Sequence, residues 1–429
     1  MRKQTIVQIG KYAAIIFIAI ILGFLILLCV YGLPTGRIIV HAAKSAETLF
    51  HESDYPNWAP DSATGILDNY TDATMISGAA YDGTEYSIAE KALLVPRVDY
   101  PSVLRVEALA YSMGIQPAAS SPFTAVYPRY WHGYLLFLKP LLIAFDISQI
   151  RLLMMCIVFI VTSFTAVVVY RKLGALYSIG LLCALLVINP VTVSMSMQFQ
   201  NVYIIALVTI DVLLLMPAGR ARPDLIFLIS GISIAFFDFL TYPITALGLP
   251  LCVSIVYYRK PVLSDAIRFH VRNSALWFFG YVGMWSGKWI LTYILTGFNA
   301  VRDGLDRIQF HSEEASPDVQ GKTITSFETV HMNFDVLKSP VIVAVLLVAL
   351  AMVLVMLTYK KTAFDPDNRT ILLLILAGLI PFAWYAFAKN HSYVHFWFTY
   401  RSLSVWIMSL FYILADIFSN KGGCSQWTE

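Results

Sequence analysis

Residues 12–30 read YAAIIFIAIILGFLILLCV, nineteen positions without a charge, and Arg2, Lys3 and Lys11 stand before them. About 20 apolar residues are what a helix needs to cross a bilayer. A cleaved signal peptide also begins with basic residues, but its apolar region is shorter and ends at a small-x-small site, which is missing here. The stretch therefore reads as an uncleaved membrane anchor entering from the cytoplasm. The rest of the chain agrees: of 429 residues, 58% are hydrophobic and 13% charged. Soluble globular chains carry about 25% charged residues. A soluble globular protein, a disordered chain and a nucleic-acid binder resting on a basic surface are all excluded by this composition. The net charge of +3 says little until it is divided between the two sides of a membrane.

Working outward from the anchor, residues 31–149 form a long, mostly polar loop. Apolar segments follow near 150–170, 175–190, 202–216, 225–240, 244–258, 274–297, 340–358, 370–388 and 402–418. With the anchor these make about ten transmembrane helices in an all-α polytopic membrane protein. With the N-terminus in the cytoplasm, every short basic loop falls on one side, as the positive-inside rule demands. These loops hold Arg171-Lys172, Arg220 and Arg222, Arg259-Lys260 with Arg268 and Arg272, Lys360-Lys361 with Arg369, and Lys421. The loops 31–149 and 298–339 then lie outside, with most of the acidic residues. Gly133–Phe145 is apolar but short and contains Lys139-Pro140. Counting it as a span would invert all later loops, so it reads as a re-entrant or interfacial helix, with an eleventh span as the alternative. Of the five cysteines, Cys29, Cys156, Cys183 and Cys252 lie in apolar stretches and Cys424 in the tail; no pair has metal-ligand spacing.

The first outer loop carries the acidic candidates: Glu52-Ser53-Asp54, then Asp68-Asn69-Tyr70-Thr71-Asp72. Asp68 and Asp72 at i,i+4 share one helix face, and paired carboxylates raise the pKa of one partner toward that of a usable base. Solvated loop acids are the plainer reading. Tyr127-Pro128-Arg129-Tyr130-Trp131-His132 forms an aromatic belt in which Arg129 and His132 would meet a phosphate at headgroup level; simple interfacial anchoring competes. A third cluster, Lys389 to Arg401, holds His391 and His395 four apart. Without the Glu of an HExxH pattern, Lys389, His391, His395 and Arg401 fit phosphate better than a metal, and a snorkelling rim is the plainer account. Asp238, Lys288 and Asp211 lie within spans, where ionisable groups are costly; for Asp211 a structural role is expected. Ser194, Ser196, Gln198, Gln200 and Asn201 form a polar run able to line a cavity. Phe298–Phe310 reads as an amphipathic helix on the membrane, the rest of its loop as a lid.

This layout resembles the GT-C superfamily of membrane glycosyltransferases. The resemblance rests on the acidic outer loop, on Tyr127–His132 before the second span, and on Gln149-Ile150-Arg151-Leu152-Leu153 opening that span. It covers the first 170 residues, which make a GT-C-like module; 171–297 are further spans, 298–339 the second outer loop, and 340–429 the last spans and a cytoplasmic tail. It implies a multi-pass bacterial cell-membrane protein with both termini cytoplasmic, serving cell-envelope polysaccharide biosynthesis. The activity implied is inverting transfer of a sugar from a polyprenyl-phosphate donor to a glycan or glycolipid acceptor, without nucleic acid and with no metal or other cofactor indicated. Asp72 is the expected base, with Asp68 supporting and Asp54 and Glu52 competing. Arg129, His132, Lys389, His391, His395 and Arg401 are the expected donor-phosphate residues; Tyr130, Trp131, Asp238 and Gln198 would line the cavity. A flippase for a lipid-linked sugar and a polysaccharide polymerase or ligase are the alternatives.

Overall fold

A computed structural model describes residues 2–217, 220–312, 323–360 and 366–418. It is nearly all helix, 76% of the chain. Among the described residues the only sheet is a two-stranded antiparallel ribbon, Arg97–Asp99 against Phe123–Ala125. Lys361, Lys421 and Cys424, and residues 313–322 of the second outer loop, lie outside the described residues.

Among the described residues, five helices are long and apolar enough to cross a membrane: Ile6–Tyr31, Ile147–Leu173, Met197–Leu215, Asn368–Phe387 and Phe396–Ile417. A sixth arises if Ser326–Lys338 and Ile342–Val355, bent by 76° against each other, count as one span. The expected ten are therefore not all matched. The segments near 175–190, 225–240 and 244–258 become helices Ala175–Ile188, Pro223–Phe237 and Thr245–Tyr257. At 13 to 15 residues they reach only about 20–23 Å, short of a hydrocarbon layer near 30 Å. Proline and glycine set some of these limits: Asn189, in the left-handed conformation at φ 63°, ends one helix before Pro190 opens the next. The segment near 274–297 belongs to a 34-residue helix, Leu263–Thr296, that carries Asp265, Arg268, Arg272 and Lys288. Gly133–Phe145 becomes the ten-residue helix Leu135–Ala144, too short to cross alone.

Close packing of the helices depends on small residues. A Cβ on Gly231 would lie 2.0 Å from the Trp277 carbonyl oxygen, and one on Gly280 2.4 Å from that of Leu228. The helices Pro223–Phe237 and Leu263–Thr296 thus touch backbone to backbone, the contact that glycines permit in lipid, where burial alone drives no helix association.

Polar ties mark the two ends of this bundle. At one end Tyr12 donates to Asp224 (2.7 Å), which also pairs with Arg222 (3.0 Å) and faces Arg272, while Arg259 pairs with Asp416 and faces Asp367. All of these fall in or beside the loops expected on the cytoplasmic side. Midway, Thr165 donates to Asp211 (2.8 Å), joining two spans as a structural tie. The other end holds the first loop, folded into short helices over the span ends. Its first helix, Gly36–Glu52, buries Ile38, Ala42, Ala46 and Leu49 and exposes its charged face.

Candidate functional site

Three helix N-termini meet around the loop that follows the first span, and each is served by an aspartate of that loop. An N-terminal turn leaves unpaired N–H groups and about half a positive charge, so a carboxylate is favoured there. Asp68 caps the helix Asn69–Ala80, accepting from Thr71 N (2.9 Å) and Thr71 Oγ1 (3.0 Å). Asp72, one turn on, accepts from Met197 N (3.0 Å) at the start of the span Met197–Leu215. Asp54 accepts from Val106 N (3.3 Å) at the start of Arg105–Ser112. All three are buried.

Their environments differ. Burial raises the Asp72 carboxyl well above the ordinary range, against the pull of Arg151. That guanidinium lies 3.9 Å from Asp72 Oδ2, an oxygen with no hydrogen-bond donor. Arg151 also donates to Glu52 Oε1 and Oε2 (2.9 and 2.8 Å), Asn69 Oδ1 (2.7 Å) and Met195 O (2.8 Å). Asn69 in turn donates to Glu52 Oε2 (3.0 Å) and Ser53 O (2.8 Å). Glu52 is thus the outer member of a buried ionic network whose centre, Arg151, the sequence offered only as part of a span's opening. Burial pushes the Asp68 carboxyl up to about 7, opposed by the Thr71 hydrogen bonds, with Asp54 raising it further and Arg401 drawing it down. Gln198 Nε2 donates to Asp68 Oδ2, and Asp68 N to Ser196 Oγ (3.0 Å). Burial raises Asp54 as well.

The late cluster faces these acids. Arg401 is fully buried; its Nε donates to Ile188 O (3.0 Å) and its Nη1 to Trp397 O (3.2 Å), while Nη2 has no acceptor. The Phe199 ring lies 4.2 Å below its guanidinium. His391 bonds Leu240 O at 2.8 Å and stacks edge-on against His395, centroids 5.0 Å apart. Lys389, half-buried, opens the same short helix. Tyr55 joins the two regions, stacked on Tyr70 (5.9 Å) and edge-on to Trp397 (5.4 Å).

The aromatic belt behaves differently from expectation. His132, at φ 57°, is buried with one ring nitrogen on Tyr127 O (2.7 Å) and the other on the Tyr134 hydroxyl (3.1 Å). Burial lowers its pKa well below the usual value, so the expected phosphate ligand is a neutral ring with both nitrogens occupied. Trp131 donates to Met284 O (2.7 Å) deep in the core, and Tyr130 stacks on Trp285. Arg129 forms a two-pronged pair with Asp303 (3.1 and 3.0 Å), and its carbonyl takes both Trp285 Nε1 (2.8 Å) and Trp289 Nε1 (2.9 Å). Asp238 accepts from the Thr241 hydroxyl and from Thr241 N (3.0 Å), closing the turn after its helix. Lys288 donates to Ala92 O (3.2 Å) and Leu93 O (2.7 Å), closing the end of another surface helix. Ser53, His132 and Leu240 all lie at positive φ in this region. Each such residue costs about 1–2 kcal/mol, a strain that collects at working sites.

The helix expected over Phe298–Phe310 runs Ala300–Ser312. It rests on protein: Gly304 sits against Trp289, where a Cβ would come within 2.4 Å, and Phe310 O accepts from Asn390 Nδ2 (2.9 Å) of the late cluster. Under the acids, Met75, Met197, Gln200 and Asn201 help line an apolar cavity of about 530 Å³ that also borders Leu138, Pro140 and Met154. Among the described residues no group of three or more His, Cys, Asp or Glu is placed to hold a metal. No protein-family model, curated protein or solved structure matches this chain.

Proposed function

We propose that the chain is an inverting glycosyltransferase, moving a sugar from a polyprenyl-phosphate donor to a cell-envelope glycan or lipid acceptor at the outer face of a bacterial membrane. The observation that carries this reading is the approach of Asp68 and Arg401 to adjoining residues at the start of the helix Met197–Leu215: Gln198 donates to Asp68, and the Phe199 ring lies 4.2 Å from the Arg401 guanidinium. Asp68 is a buried carboxyl held up to about 7, and it feels the charge of a buried guanidinium with an open Nη2. A general base works best with a pKa near the working pH, and a fixed cation in a dry site stabilises a departing phosphate. Asp68, rather than the expected Asp72, is the proposed base. Asp72 has no exposed surface and faces the Arg151 guanidinium, whereas Asp68 keeps a small exposed area and lies on the Arg401 side.

In the step, Asp68 takes the proton of an acceptor hydroxyl as that oxygen attacks the anomeric carbon. The bond from that carbon to the phosphate oxygen breaks, and its electron pair leaves on the phosphate, beside Arg401. His391 and Lys389 flank the departing group, and the apolar cavity beneath suits an isoprenoid tail. The test is purified protein incubated with radiolabelled polyprenyl-phosphate sugar, following release of lipid phosphate and label transfer. Asp68→Asn, which retains a capping oxygen for the helix, should abolish transfer while keeping donor binding. Full turnover in that variant would overturn the assignment; donor movement across a vesicle membrane without bond cleavage would favour the flippase.

A further inference from the structure

A second set of cations gathers on the far side of Tyr70. Arg97, on the short ribbon, lies over the Tyr127 ring at 5.7 Å, and Arg129 lies over the same ring at 5.6 Å. Arg307 stands one turn after Asp303 on the helix Ala300–Ser312, with its guanidinium over the Phe310 ring at 4.9 Å. Arg105 lies over Tyr70 at 5.6 Å. Against these four arginines stand two aspartates: Asp99, shared by Arg97 and Arg105, and Asp303 on Arg129. One carboxylate is thus shared between Arg97 and Arg105, which leaves the set with a positive surplus. Within it, Arg97 Nε and Nη1 are buried and have no hydrogen-bond partner. Leaving a charged donor buried and unused is unfavourable, and a bound anion removes that penalty.

This set is distinct from the one around Arg401. Asp303, on Arg129, and Phe310, on Asn390, are seven residues apart on one helix, which places the two anchor points about 10 Å apart along it.

We propose that Arg97, Arg129 and Arg307 form a second anion subsite, one that takes a phosphate group carried by the acceptor, and that Asp303 occupies Arg129 until that group arrives. The assignment to the acceptor rests on the glycosyltransferase reading; the anion site itself does not. Arginine is suited to it, since planar guanidinium donors match phosphate oxygens. The phosphate belongs either to a lipid headgroup or to a soluble glycan, and the chemistry is the same.

The test uses the full chain in nanodiscs of phosphatidylcholine, titrated with inorganic phosphate. Tryptophan fluorescence is the readout, since Trp285 and Trp289 hold the Arg129 carbonyl. Arg97→Gln should weaken phosphate binding at least tenfold. Asp303→Asn should strengthen it several-fold, a gain that misfolding does not produce. Arg401→Gln should leave this signal in place. Nanodiscs containing phosphatidic acid separate the sources: a raised apparent Kd for free phosphate assigns the site to a lipid headgroup, and an unchanged Kd to a soluble phosphate. Binding indifferent to both Arg97→Gln and Asp303→Asn overturns the subsite. In the transfer assay, Arg97→Gln should raise the acceptor KM and spare the donor KM. The reverse pattern overturns the acceptor assignment while leaving the subsite and the Asp68 mechanism intact.

Discussion

Replacing Arg151 with alanine tests the organisation of the outer site most directly. The side chain makes four hydrogen-bonding contacts to three partners besides its 3.9 Å approach to Asp72: two to Glu52, one to Asn69 and one to Met195 O. Glu52 is a third exposed, so its pairing is worth about 1 kcal/mol or less. Asp72 has no exposure, and at a pH where it is ionised, removing the countercharge from a buried carboxylate costs about 3–5 kcal/mol. The expected loss is therefore about 3–5 kcal/mol, dominated by Asp72. Its sign with pH follows from the raised folded-state pKa of Asp72. A carboxyl raised on folding contributes most below its unfolded value of 3.8 and loses that contribution as pH rises. Without Arg151 the folded pKa rises further, so the deficit against wild type should be larger at pH 8 than at pH 5. The double variant Arg151→Ala/Asp72→Asn, with no buried charge left, should recover about half of the loss or more. The assay is apparent Tm in detergent by tryptophan fluorescence, where the single variant should fall by about 6–10 °C at roughly 2 °C per kcal/mol. Equal losses in the single and double variants, or a single loss under about 1 kcal/mol, would refute the view that Arg151 serves chiefly to balance Asp72.

The same contacts set other outcomes. Transfer should rise with pH through about 7 and then level, because Asp68 works as a base only when ionised; a pH-independent rate between 5 and 8 counts against Asp68. Gly231→Leu should force apart two helices whose backbones touch, at a cost of about 1–3 kcal/mol or more, read as lower apparent Tm; a neutral result means the helices are not in contact. Trp131→Phe removes the donor to Met284 O and should cost about 1–3 kcal/mol with donor binding retained; loss of donor binding at unchanged Tm would instead put Trp131 in the site.

The features legible in the sequence were local. The anchor appears as the helix Ile6–Tyr31, and the helix after Asp68 opens where the i,i+4 acids suggested, because an aspartate before an apolar run is itself a cap. Span counting was less secure, since apolar length alone does not distinguish a crossing helix from a short one buried among neighbours: Thr245–Tyr257 is buried along nearly its whole length yet has only 13 residues. Partners distant in the chain were out of reach. Arg151 meets Glu52 across 99 residues, and nothing local in Gln149-Ile150-Arg151 signals that meeting. For His132 the residue type suggested a ligand, whereas its left-handed backbone and the neighbouring Tyr127 and Tyr134 make it a fixed neutral strut.

The stitching of the first loop to the later spans has a consequence for how the chain is made. Asp68 N waits for Ser196, Trp58 for Thr192 and Asp72 for Met197, separations of 128, 134 and 125 residues. At synthesis rates of roughly 5–20 residues per second, those partners emerge about 6–27 s after the loop does. During that interval the acidic and aromatic segments of the loop lack the neighbours that bury them, and the chain passes through a stage in which its buried acidic cluster is the part most open to chaperones and proteases.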